Sequence, residues 1–141
     1  MSTLKVTNVA HETSTLNTLV FDNGGGSGNG RVTTKGTIGE ITAISYASTI
    51  TLDFRTGNNF STTLTGNVTI DNPSNIYAGQ SGVLLITQDG TGSRTAAFGS
   101  YWDFSAGTAP TLSTGANQVD VIAWIARTNT NIAAQFIGNF S

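Results

Sequence analysis

Two apolar runs, at residues 83–86 and 119–126, constrain this chain more than any other feature. Val83, Leu84, Leu85 and Ile86 follow one another without a polar break, and so do Val121, Ile122, Ala123, Trp124, Ile125 and Ala126. Near the end of the chain, Ile132, Ala134 and Phe136 again face Ala133 and Ile137. Each run has strand length and is rich in β-branched residues, and because successive strand residues point to opposite faces, both faces are apolar. Such strands need cover on both sides, from a second layer or a second subunit. The candidates for subunit packing are Val83, Leu85, Ile122, Trp124 and Phe136, which are candidates for the core as well, Trp124 above all. Between the runs, Asp89 and Gly90 read as a hairpin turn, because a type I′ turn needs positive φ at both central residues. On this reading the strand at 83–86 returns through Arg94 to Phe98, and a loop with Trp102 and Pro110 precedes the second run.

Upstream the pattern is plain alternation. Ile50, Leu52 and Phe54 share one face, with Thr49, Thr51 and Asp53 on the other. Thr56, Gly57, Asn58 and Asn59 read as a turn, Phe60, Thr62 and Leu64 as a returning strand, and Val68 with Ile70 as a third. Turns about every ten residues are the mark of a sandwich or barrel. The expectation is therefore an all-β fold, an antiparallel β-sandwich of jelly-roll type, over residues 48–141. Residues 31–47 read as a connector. Ile38, Ile41 and Ile44 could mark a short helical turn there, but Gly36 and Gly39 weaken it.

Residues 1–30 have a different character. Leu4 and Val6 alternate with Thr3, Lys5 and Thr7, and residues 16–21 could form a second short strand. Neither would be stable alone, so this arm is expected to pair with something outside its own domain, through Leu4, Val6, Val9, Leu16, Leu19 and Phe21. It ends in a run with Gly24, Gly25, Gly26, Gly28 and Gly30, which reads as a linker. A phosphate-binding loop does not fit: Asn29 stands where the last glycine of G-x-G-x-x-G would fall, and no helix start follows.

Composition narrows the function classes. Only 10% of the 141 residues are charged, against about 25% in typical soluble proteins. Thr, Ser, Asn, Gln and 17 Gly supply the remaining surface, a balance common in assembled or fibrous β proteins. The six Lys and Arg are scattered and the net charge is −2, so no basic stripe marks a nucleic-acid partner. With 0 Cys there is neither a disulfide framework nor a thiolate metal site. No apolar stretch of signal or membrane-span length occurs, so neither a cleaved export signal nor membrane insertion is expected.

No catalytic constellation emerges. His11 is the sole histidine, without a nucleophile elbow or companions at metal-ligand spacing. Asp53, Asp103 and Asp120 could form the paired carboxylates of a glycosidase, but each has a simpler role on a strand or in an Asx turn. Tyr101 and Trp102 could stack on a sugar face, although Trp102 suits a loop capping the core and Trp124 a core strand. The expectation is a non-enzyme with no catalytic residues, no metal and no cofactor.

The stretch SGVLLITQDGTGSRTAAFGSYWDFSAGTAPTLSTGANQVDVIAWIAR resembles a segment of tailed-bacteriophage virion proteins of the trimeric head-decoration and short-fibre type. There an apolar strand, QDGTGSRT, a Trp-containing loop, a G-T-A-P-T-L-S tract and an apolar strand with V-D-V follow in this order. NNFSTTLTGNVTIDNP resembles the strand pair before it, and MSTLKVTNVAHETSTLNTLVFDNGG is similar to the attachment arm of such proteins. The resemblance implies a structural virion protein, homotrimeric, with an N-terminal anchor and an outward β domain. Ala96, Ala97 and Phe98, with Tyr101, Trp102 and Asp103, depart from the commoner loop, where Trp-Pro often precedes the second Trp.

The expected function is capsid decoration, as a cement or short head-fibre protein on the capsid exterior, held through the arm to the major capsid protein or another virion protein. The 141-residue length, which leaves no room for a long shaft, favours this over the alternative, a short tail fibre or fibre tip that binds a host surface glycan.

Overall fold

The computed structural model describes residues 39–140. Strands β1 (Ile41–Ala43), β2 (Thr49–Ile50), β3 (Asn59–Leu64), β4 (Val68–Ile70), β5 (Ser81–Gln88), β6 (Ala96–Phe98) and β7 (Trp102–Phe104) are followed by a 3₁₀ turn at Ser105–Gly107. Then come the two longest strands, β8 (Val119–Thr128) and β9 (Asn131–Phe140). A six-stranded sheet runs β1-β3-β5-β8-β9-β7, and a three-stranded sheet runs β2-β4-β6. The all-β expectation holds.

The pairing is mixed, not wholly antiparallel. From β1 to β6 the chain steps alternately between the two sheets, and every pairing it makes there is parallel: β1 with β3, β3 with β5, β2 with β4, β4 with β6. These six strands form three rungs of a two-sided coil. Inward residues stack from rung to rung: Phe60 on Leu84, Thr62 on Ile86, and Ile50 on Ile70 on Phe98. Antiparallel pairing begins only where β8 joins β5 and β9 returns beside β8. The edge strand β7 then pairs parallel with β9, Trp102 beside Ile132.

The expected meander fails for a physical reason. A period of two fixes which face a residue takes, but not whether the next turn stays in one sheet or steps to the other. Here side chains satisfy the backbone at the corners, so the chain can step. Asn67 Oδ1 accepts the Thr95 N–H at 3.0 Å, and Asn72 Oδ1 accepts the Tyr101 N–H at 2.8 Å. Residues 41–43, inside the stretch read as a connector, form the first strand of the larger sheet.

The loop at residues 89–95 is the clearest departure. It is an arch carrying the chain from β5 in one sheet to β6 in the other. Gly90 is not among the positive-φ residues, whereas Gly92 and Ser93 have φ of 74° and 62°. Asp89 Oδ1 accepts the N–H of Thr91 and of Gly92, an Asx arrangement, while Oδ2 pairs with Arg94 at 2.8 Å. Beneath it, buried Gln88 accepts the Arg94 N–H and donates to the Arg94 carbonyl, both at 2.9 Å, replacing a missing strand partner. At Gly92 a Cβ would collide with the Thr114 carbonyl, so the arch requires glycine there twice over, for conformation and for space.

One buried cluster joins both sheets. Leu52, Phe60, Leu64, Ile70, Leu84, Ile122 and Ile132 are all wholly buried. Two aromatic groups anchor it. Trp124 stacks on Phe54 at 4.1 Å, and Phe98 meets Trp102 and Phe104 edge-on at 5.9 and 4.7 Å. Packing of this kind adds about 0.5–1.5 kcal/mol per aromatic pair beyond area burial.

Candidate functional site: the outer face of the large sheet

Alternation along β5 sends Leu84, Ile86 and Gln88 inward and Val83, Leu85 and Thr87 outward. On β8, Asp120, Ile122, Trp124 and Ala126 point in, while Val119, Val121, Ala123 and Ile125 point out. Register aligns the outward rows: Val83 lies beside Ala123 and Leu85 beside Val121. Across β9, Val121 pairs with Ile137, Ile125 with Ala133 and Val119 with Phe140. The outer face thus carries a continuous apolar band across three neighbouring strands. Ile125, Ile137 and Phe140 on it are 48%, 47% and 49% exposed.

The charges of this sheet flank the band at one side, with Asp103 in register with Ala133 and Arg127 next after Ile125 on the outer side of β8. Asp103, exposed on β7, is bridged by Arg127 at 3.3 Å and by the Asn131 amide at 2.6 Å. An open groove of about 720 Å³ lies beside this pair, with Ala123, Ile125, Ala133 and Gln135 among its lining residues. Asp120 is the one acid on the central strands and is wholly buried. Its two oxygens accept the backbone N–H of Ser113 at 2.8 Å and of Asn139 at 3.0 Å, beside a break in the β8–β9 register. A buried carboxylate with two backbone donors ties the loop before β8 to the end of β9.

The sequence-derived candidates separate by face. Val83 and Leu85 lie on the outer band. Ile122 and Trp124, read as subunit-packing candidates, are core residues, 0% and 4% exposed. Phe136 is also turned inward and packs against the core. Trp102 is 6% exposed with its indole N–H donated to the Asp71 carbonyl at 3.1 Å, and Tyr101 packs partly buried against the core. Trp102 therefore does not present a ring face to a sugar; it caps the core. Asp53, Asp103 and Asp120 are separately engaged: Asp53 accepts from Arg55 N and Asn75 Nδ2 in a surface turn. The amide of Asn75, with the Arg55 N–H behind it, holds the Asp53 carboxyl below its usual range. Leu4, Val6, Val9, Leu16, Leu19 and Phe21 lie outside the described residues, as does His11.

Sequence reasoning missed Val121, Ala123, Ile125, Ile137 and Phe140 as members of one face. The signal was present in the parity of β8: with Asp120 inward, every odd-numbered residue to Ile125 must point outward.

Residues 33–130 match the family described as "Putative phage tail fibre C-terminal domain". The match spans more than half of the chain and takes in β1 to β8, so the chain belongs to this family: it is a tailed-phage virion protein of fibre type. No curated protein and no solved structure matches it.

Proposed function

We propose that this chain is a structural component of a short tail fibre. Residues 39–140 form the outward β body, and the segment before them attaches it to another virion protein. The protein acts by assembly, as a homotrimer, and not by turnover. The observation that carries this reading is membership of a fibre family across nearly the whole described body. Attachment through Leu4, Val6, Val9, Leu16, Leu19 and Phe21 would add a strand to a sheet edge of the partner, with main-chain hydrogen bonds giving affinity and alternate side chains specificity.

A second reading is capsid decoration, with the same arm on the major capsid protein. The alternating arm followed by a Gly-rich run favours it, since both suit a short tether on a flat surface. Immunogold electron microscopy of virions separates the two. Label at the tail supports the first reading, label over the head supports the second, and virions without label overturn both. Deleting residues 1–23 is expected to abolish virion association while the β body keeps its circular dichroism. Retained association would refute the anchoring role of the arm.

A further inference from the structure

We propose that the outer face of the six-stranded sheet is where copies of this chain meet. The proposal rests on the self-association named above and assigns it to one surface. Val83, Leu85, Val121, Ala123, Ile125 and Ile137 form the centre of that surface.

Three observations favour a second copy as the occupant. The first is charge. Between Arg127 and Asp103 at one side and the Thr and Ser residues of β3 at the other, no outward position of β5, β8 or β9 is ionisable. Opposite charge therefore cannot select the partner, and an apolar, uncharged surface fits best. The second is size. With strands about 4.8 Å apart and about 3.3 Å of rise per residue, β5, β8 and β9 present an outer face of about 400 Å². A standard interface takes about 800 Å² from each partner, so this band would form its apolar centre. The Ser61, Thr63 and Thr87 row and Gln135 would supply the polar rim. The third is shape. A lone extended segment covers about one strand spacing, about 4.8 Å, whereas the sheets of neighbouring copies can cover all three strands. In the trimer each copy turns this same uncovered face towards the threefold axis, where its two neighbours cover it.

The test uses the full chain. Light scattering and sedimentation at micromolar concentration are compared for the wild type, Ile125→Asp and Tyr77→Asp, the last an exposed residue of the loop before β5 and not part of the band. The expected result is a wild-type oligomer, Tyr77→Asp unchanged, and Ile125→Asp reduced to the mass of one chain. The near-ultraviolet signal of the stacked Trp124 and Phe54 should persist in all three. An oligomer that survives Ile125→Asp overturns the assignment of this face and leaves self-association standing. A monomeric wild type overturns both. If Ile125→Asp does not fold, Ala123→Cys decides, because the chain has no other cysteine. A thiol cross-linker should join Ala123→Cys copies far more efficiently than Tyr77→Cys copies, and equal yields would refute the proposal.

Discussion

Leu84 and Leu85 are neighbours with the same side chain, yet Leu84 is wholly buried between the sheets and Leu85 lies half-buried on the outer face. Ile122 and Val121 repeat the contrast on the next strand. The inner face is closed by this chain's own residues, down to a buried Asp120 and Gln88 whose side chains are fully engaged. The outer face has comparable apolar character, but among the described residues nothing covers it. One face determines whether the body folds, and the other determines what the folded body can meet.

The most direct way to break this comparison is a matched pair. Ile122→Ala should cost about 2–5 kcal/mol, the range for truncating a buried aliphatic residue and leaving a cavity. Val121→Ala should cost about 1 kcal/mol or less, both variants being measured by urea unfolding in the monomeric Ile125→Asp background. Equal losses would show that the two faces are not distinct in the single chain.

A smaller effect sharpens the inner face. Gln88→Leu removes both hydrogen bonds to the Arg94 backbone and leaves its N–H and C=O with no side-chain partner. The expected loss is about 1–3 kcal/mol, with the arch opening first and Arg94 exchanging its amide hydrogen faster. Unchanged exchange at Arg94 would remove Gln88 from this role.

The smallest effect concerns acid. The guanidinium of Arg94, and after it the Gly92 N–H, holds Asp89 below its ordinary value, and Asn75 does the same for Asp53. Both groups bind protons more readily when unfolded. Their contribution is complete above the ordinary carboxylate range and is lost as pH falls below it, through the depressed folded values. The melting temperature should therefore decline on acidification below about pH 4, and Asp89→Asn should flatten part of that decline. An identical acid profile in the variant would exclude the Asp89–Arg94 pair as a source.

Much of the body was legible in the residues. The face shared by Ile50, Leu52 and Phe54 is buried as the alternation required, and the strands at 83–86 and 119–126 are indeed apolar on both sides. The DGTGSR loop was legible as a reversal but not as an arch. Its geometry depends on Gln88, Arg94 and Thr114, residues brought together only by the packed sheets. Trp102 suited a core cap better than a sugar platform from its place in the sequence. What separates them is the Asp71 carbonyl, placed one rung away to receive the indole N–H.

By itself the sequence determined that this chain builds strands, where the long apolar ones lie, and that three of them carry more apolar surface than one core consumes. Side-chain alternation and turn chemistry are local, and local rules suffice for that. Only the tertiary structure decided that β1 to β6 coil in parallel rungs, and that Ile122 and Trp124 go inward while Val121 and Ile125 remain outside. Parallel and antiparallel pairing share one period of two, and the side of a strand that becomes the core is chosen by the neighbours it pairs with.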